Sequence, residues 1–332
     1  MAQLDKLKSA KTYPARGTWF CLARVPNSAR FFAGGSDFKV YEIDLAAAKP
    51  EPKELGKHDS YVTGVALSGN QLVSGGYDGR LVWWNTQTRA QVRSVEAHKR
   101  WVRAVEATRD GRVVASVADD MVCRLWDGAT GKPLHELRGH AAKTPTHFPS
   151  MLFACAFSPD GRHVATADKV GHVVVWDVKS GKQVTALEAP GMYTWDPVQR
   201  RHSIGGVRSL AFSPDGQLLA AGGIGKIGNI DHLDGKARVE VFDWQKKAPA
   251  REYIGEGVKG LVERLAFHPK GEWLLGAGGA NDGFLMFFDL KKPKAVRQEK
   301  VKMHVHSVAL NESADTVYAA GVGQLLTWEL KV

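Results

Sequence analysis

The sequence predicts an all-β chain built from seven repeats of a four-stranded antiparallel unit. Three observations carry that expectation: a two-strand frame that recurs along the chain, aromatic residues that close it at near-even spacing, and Gly-containing turns ahead of it. The frame is clearest in Leu72–Asn85, Val114–Asp127 and Val164–Asp177. Each is an apolar strand, a small polar turn and a second strand ending in Trp84, Trp126 or Trp176. Weaker copies end at Tyr41-Glu42, Phe242-Asp243, Phe288-Asp289 and Trp328-Glu329. Successive aromatic markers lie about 43, 42, 50, 66, 46 and 40 residues apart, near the 40–45 of a four-stranded repeat. Seven markers give seven units.

The turn marker reads Phe157-Ser-Pro-Asp-Gly161, Phe212-Ser-Pro-Asp-Gly216 and Phe267-His-Pro-Lys-Gly271, with Thr108-Arg-Asp-Gly111 as a relic. Pro presets the first turn position and Gly supplies positive φ near the end. A tight hairpin is therefore predicted between the first and second strands of a unit. The 10 Trp and 35 Gly suit many short strands, each packed by an indole and closed by a Gly turn.

No N-terminal apolar stretch of signal-peptide length is present, and no apolar run approaches a membrane span. The expected location is cytoplasmic, without membrane insertion. Cys21, Cys123 and Cys155 sit in apolar strand-like runs without metal-ligand spacing, and read as reduced, buried, small side chains.

These motifs resemble the WD-repeat family over nearly the whole chain. The resemblance implies a β-propeller, a ring of four-stranded blades around a central channel. It also implies a His, Ser/Thr, Asp and Trp that hydrogen-bond within a blade. His58, Ser74, Asp78 and Trp84 supply that set in blade 2, and His98, Ser116, Asp120 and Trp126 in blade 3. Blade 4 keeps His140, Thr166 and Trp176 but has Val170 where the Asp should stand. A Ser-His-Asp set that recurs with each repeat and is buried is structural, not catalytic. The chain ends soon after Trp328, so the last blade needs a strand from elsewhere. Residues 3–9 fit that role, completing the last blade and closing the ring of a single domain spanning 1–332.

Function on such a scaffold sits in the loops, so departures from the repeat are the informative places. Three insertions stand out: 140–150, 189–202 and 225–236. Strand direction alternates within a blade, which places loops leading into a blade and second-to-third-strand turns on one face. The insertions should cluster there, over blades 4 and 5. Tyr193, Trp195, Arg200, Arg201 and His232 lie in that cluster, and Tyr61, Tyr77 and Trp101 occupy equivalent loops of regular blades. Exposed aromatics and Arg are what interface hot spots are made of. Loop packing is the structural alternative for Tyr193 and Trp195. His147, His202, Asp231, His232 and Asp234 are suitable metal ligands but show no ligand spacing, so no metal is expected. Ala221–Lys226 is Gly-rich but lacks the Lys-Ser/Thr and helix of a phosphate loop, and no cofactor is expected.

The formal net charge is +10. Much of it falls on Lys246, Lys247, Lys291, Lys292, Lys294, Arg297, Lys300 and Lys302, expected on outer strands and adjoining turns. Lys on an exposed edge discourages aggregation, while an uneven distribution suits an anionic partner. No aromatic residue interleaves that stretch for base stacking. The leading expectation is a monomeric, non-enzymatic scaffold that binds a protein or peptide on the top face around blades 4 and 5. Polyanion binding through the basic rim is the alternative, with nucleic acid less favoured than protein. An enzyme or metal site at the channel mouth comes third.

Overall fold

The structure, a computed structural model, describes residues 4–196, 198, 202–229 and 233–330. The chain divides into two compact units, Met1–Glu136 with His306–Val332, and Leu137–Val305. Strands account for nearly all regular structure; the described helices are two short 3-10 turns, Leu4–Lys6 and Pro190–Met192.

In chain order the strands are β1 (Leu7–Arg24), β2 (Arg30–Gly35), β3 (Lys39–Asp44), β4 (Lys53–Lys57), β5 (Val62–Ser68), β6 (Gln71–Gly76), β7 (Arg80–Asn85), β8 (Gln91–Glu96), β9 (Val102–Ala107), β10 (Val113–Ala118), β11 (Cys123–Asp127), β12 (Pro133–Leu137), β13 (Leu152–Phe157), β14 (His163–Asp168), β15 (His172–Asp177), β16 (Gln183–Glu188), β17 (Tyr193–Asp196), β18 (His202–Gly205), β19 (Val207–Phe212), β20 (Leu218–Ile224), β21 (Lys236–Asp243), β22 (Ala248–Lys259), β23 (Leu261–Phe267), β24 (Leu274–Gly279), β25 (Gly283–Phe288), β26 (Ala295–Val301), β27 (Val305–Leu310) and β28 (Thr316–Leu330). Five sheets have four strands, β5–β8, β9–β12, β13–β16, β19–β22 and β23–β26, each a meander in sequence order. A sixth has six, in the order β27-β28-β1-β2-β3-β4, and β17–β18 is a separate hairpin.

Six sheets of blade type are therefore present among the described residues, against the seven expected. The difference lies in β1 and β28. β1 runs on past Gly17 (φ 67°) and β28 past Gly323 (φ 74°). The first half of β1 pairs with β28, with Leu7 opposite Leu330 and Ser9 opposite Trp328. Its second half pairs with β2, Trp19 opposite Gly35 and Arg24 opposite Phe31. Two ladders on one strand join the first and last repeats into one sheet.

The packing explains why central strands read as continuous apolar runs rather than alternating ones. A sheet buried on both faces needs apolar residues at every position. In β2, Phe31 and Ala33 pack with Trp19, Tyr41 and Leu325, whereas Phe32 packs with Val40, Val62 and Trp84. In β7, Leu81 and Trp83 join Val102, Val114 and Trp126, while Val82 and Trp84 face the other way. The second unit repeats this: Leu219 and Ala221 pack toward Val173 and Val175, and Ala220 toward Phe284 and Met286. The edge strands β8 and β16 start exposed and half-alternate, as strands with one solvated face should.

The turn marker behaves as its residues dictate. Gly111, Gly161, Gly216 and Gly271 all sit at φ near 70°. Each donates its N–H to the carbonyl three residues back, Thr108, Ser158, Ser213 and His268, at 2.7–2.9 Å. In three of them the Thr or Ser hydroxyl also accepts the N–H five residues on, as in His163 N to Ser158 Oγ at 3.0 Å. The three cysteines are buried free thiols, and burial pushes the Cys123 thiol far up.

Candidate functional site

The repeated polar sets are sealed. Trp84 Nε1 donates to Ser74 Oγ at 2.8 Å, Ser74 meets His58 Nε2 at 2.8 Å, and His58 Nδ1 lies 3.0 Å from Asp78. The consistent proton order is indole to serine, serine to imidazole, imidazole Nδ1–H to carboxylate. Trp126, Ser116, His98 and Asp120 are spaced alike, at 2.9, 2.7 and 3.1 Å, with Arg124 Nη1 also 2.7 Å from His98 Nδ1. Burial would raise Asp78, but the His58 hydrogen bond and charge and two backbone N–H groups hold it down at about 2. Asp120 is held lower still, against burial, by His98 and Arg124. Burial lowers His98. Ser74, Ser116 and Thr166 have no solvent exposure, so none offers a nucleophile to a substrate.

The blade-4 expectation needs correction. His140 does not lack a carboxylate: Asp168 Oδ2 lies 2.9 Å from Nδ1, while Thr166 takes Nε2 at 2.8 Å and accepts from Trp176 at 2.9 Å. The acid comes from two residues before Val170, at the end of β14. Its other oxygen accepts the N–H groups of Val170 and His172, both at 3.0 Å, which shape the following turn.

A recurring backbone bond brings functional loops to one end of their sheets. The residue ahead of a first strand, or in β1 the residue just after Gly17, accepts the N–H of the turn between the next two strands. Thr18 O takes Ser36 N, Tyr61 O takes Tyr77 N, and Trp101 O takes Asp119 N, at 2.9–3.1 Å. Side chains of those loops then meet as a chain of rings in the first unit. Phe38 and Phe20 lie 5.5 and 5.7 Å from Tyr61, and Tyr61 lies 5.7 Å from Tyr77. Tyr77 stacks on Trp101 at 4.5 Å with planes 4° apart. Trp101 is 49% exposed, Tyr61 41% and Phe38 39%, a row of open rings on an otherwise ordinary surface. Arg103 fixes one end. It grips Asp119 with two bonds of 2.6–2.7 Å, donates to Tyr77 Oη at 2.6 Å, and lies 5.0 and 5.2 Å over the Tyr77 and Trp101 rings. Burial would lower the Arg103 pKa, but the Asp119 bonds outweigh it and raise it.

The three insertions also meet, within the second unit. Thr146 and Tyr193 hydroxyls hydrogen-bond at 3.1 Å, Phe148 packs on Trp195 at 5.2 Å, and Ile227 N–H donates to Thr194 Oγ1 at 3.1 Å. Tyr193 and Trp195 are half-buried on the β17–β18 hairpin, and exposed Phe148 is the open ring there. Arg200, Arg201 and His232 lie outside the described residues. Asp234 lines a cleft of about 650 Å³ with Asp282, Lys259 and Lys300. Two acids against two bases give that cleft no preference for either sign of ion.

The basic stretch lies in the turns before edge strands β22 and β26, along β26 and just after it. Lys246 pairs with Asp243 at 2.8 Å, Lys294 with Glu256 at 2.6 Å, and Arg297 with Glu299. Lys247, Lys291, Lys292, Lys300 and Lys302 are exposed, without a carboxylate partner among the described residues.

Phe20, Phe38, Arg103 and Phe148 were not singled out from the sequence. Arg103 had a usable signal, standing two residues after Trp101 on a first strand.

With the sheets and sealed polar sets in place, the family follows from comparison. Residues 51–85, 89–127, 131–177 and 195–239 match the family model for the WD domain, G-beta repeat. The chain belongs to the WD-repeat family. Among curated relatives, mouse (Mus musculus) telomerase protein component 1 is 27% identical over 88% of this chain and 10% of its own length. Human (Homo sapiens) apoptotic protease-activating factor 1 is 30% identical over 49% of the chain and 12% of its own. Subunit I of eukaryotic translation initiation factor 3 from Scheffersomyces stipitis is 27% identical over 66% of the chain and 56% of its own. The chain thus spans about a tenth of the length of the first two. No described helix is long and apolar enough to cross a membrane.

Proposed function

We propose that this WD-repeat chain is a non-enzymatic docking module that holds a protein or peptide partner against Phe38, Tyr61, Tyr77 and Trp101. The supporting observation is the contiguity of those rings together with the exposure of Phe38, Tyr61 and Trp101. Single exposed apolar residues are ordinary, but a connected row is not. Aromatic anchors with few χ angles lose little entropy on binding, and a guanidinium-locked stack is preorganised. The sealed Ser-His-Asp sets favour scaffold over enzyme.

The insertion cluster of the second unit is a second docking surface on this reading, favoured by the contacts among its three loops. Its described rings mostly hold those loops to one another, which makes it the weaker of the two. A tagged pull-down with nuclease treatment tests the assignment, using baits carrying Tyr61→Ala with Trp101→Ala, or Trp195→Ala. A nuclease-resistant partner lost with the first bait supports the ring surface. Loss with only the second moves the site to the insertions. Loss with nuclease alone moves the function to the lysines around β22 and β26.

A further inference from the structure

We propose that the partner segment received by the aromatic row is acidic: an extended peptide whose apolar or aromatic residues cover Tyr61 and Trp101 and whose carboxylates meet Lys57, Lys99 and Arg100. The inference rests on the docking surface proposed above and names its partner's chemistry.

The charges around the rings are divided unequally. Asp59 pairs with Arg80, Asp78 with His58 and Arg80 at 3.0 and 3.1 Å, Asp119 with Arg103 at 2.6 Å, and Asp120 with Arg124 at 2.9 Å. Each of these four acids is thus committed to a cation of the same surface, Asp59 and Asp78 sharing Arg80. Lys57, Lys99 and Arg100 are exposed and have no carboxylate partner among the described residues. Lys99 and Arg100 immediately precede Trp101, and Lys57 ends the strand leading into the Tyr61 loop. The charge left over for a partner is therefore positive and sits beside the rings. At the other end Lys57 stands opposite Lys39, and Asp37 beside Phe38 accepts from Tyr41 Oη, so one cation faces the partner there and two, Lys99 and Arg100, at the Trp101 end.

Dimensions and ring attitudes favour peptide over nucleic acid. The ring-to-ring steps span at most about 16 Å, matched by about five residues of extended chain at roughly 3.3 Å each. Base binding needs open, parallel platforms. Here Tyr77 and Trp101 already stack on each other, and the Phe38, Tyr61 and Tyr77 rings are tilted by 54–56°. Edges and corners of that kind fit side chains and prolines.

The test is fluorescence anisotropy with a labelled peptide alternating glutamate with phenylalanine and proline. The comparison probes carry lysine for glutamate, or are oligothymidylate. The acidic peptide should bind the wild type. Trp101→Ala should weaken it at least about tenfold, and Lys99→Glu with Arg100→Glu by a similar factor with a shallower salt dependence. The exposed double charge reversal guards against a folding artefact. Equal or tighter binding of the lysine peptide, or tighter binding of oligothymidylate, overturns the acidic chemistry. If Trp101→Ala abolishes capture of the cellular partner but the acidic peptide does not compete, the surface stands and its partner chemistry falls. If neither capture nor peptide binding responds to Trp101→Ala, the surface itself falls.

Discussion

Oδ2 of Asp168 lies 2.9 Å from Nδ1 of His140, and both side chains are about 99% buried. Removing the carboxylate leaves a buried imidazole N–H and two backbone N–H groups, on Val170 and His172, without acceptors. A buried donor left without its acceptor costs about 1–3 kcal/mol. Asp168→Ala should therefore destabilise the chain by about 3 kcal/mol in all, read as a lower urea midpoint. Asp168→Asn, which keeps an acceptor for the turn, should lose less. Val170→Asp in the Asp168→Ala background should not restore the midpoint, because the acid is held at the strand end and not in the turn. Full rescue would show that the family position can still serve.

The buried sets also set the acid limit of stability. Asp78 is held at about 2 in the folded chain, below the ordinary carboxylate value. A depressed carboxylate contributes stability in full above its unfolded pKa and loses it as pH falls through the folded value. Burial depresses His98, so its contribution is likewise present above the unfolded imidazole value, near 6.5, and fades below it. The urea midpoint should decline gently below about pH 6.5 and steeply between about pH 4 and 2. The Asp78 step is worth about 2 kcal/mol. Asp78→Asn should be less stable at neutral pH yet flatter across that lower range. An equally steep fall in the variant would assign the acid transition to other carboxylates.

The repeat was legible because each device in it is local. Phe-Ser-Pro-Asp-Gly encodes its hairpin within a few residues, and Trp84, Trp126 and Trp176 mark strands that must be buried on both faces. Asp168 was missed because motif alignment counts positions along the chain, whereas His140 selects whichever carboxylate reaches its Nδ1. The joined ladder of β1 was half legible: a missing last strand can be seen in sequence, but strand continuity past Gly17 cannot. Tyr61, Tyr77 and Trp101 were legible as loop residues, yet their meeting across two sheets depends on Tyr61 O to Tyr77 N and Trp101 O to Asp119 N. Such bonds link residues 16–18 positions apart and leave no pattern in composition.

Two glycines separate steric from conformational demand. A Cβ on Gly278 would stand 1.8 Å from the Leu261 carbonyl oxygen, a backbone atom that cannot swing away. Gly271 has φ 70° but open space around a Cβ. Gly271→Ala should cost about 1 kcal/mol, the strain of a left-handed alanine. Gly278→Ala should cost about 3 kcal/mol or more by forcing β23 and β24 apart. Far-UV circular dichroism with urea melts reads both, and equal losses would refute the close-approach argument.

The N-terminal strand should hold β28 in place. Leu7 is 1% exposed and Leu4 6%, and Lys11 N donates to Thr327 Oγ1 at 3.1 Å. Burying a leucine contributes about 1.5–3 kcal/mol. Removing residues 1–10 deletes two such side chains and the rungs opposite Trp328 to Leu330, and exposes that part of the β28 edge to other chains. For a chain of this size each kcal/mol moves Tm by about 2 °C, so a fall of several degrees with rising light scatter is expected. A synthetic peptide covering residues 1–14, added in trans, should recover part of the loss by re-forming the ladder. An unchanged Tm after the deletion would mean that β28 is secured by its other neighbours and that the Leu7–Leu330 pairing contributes little.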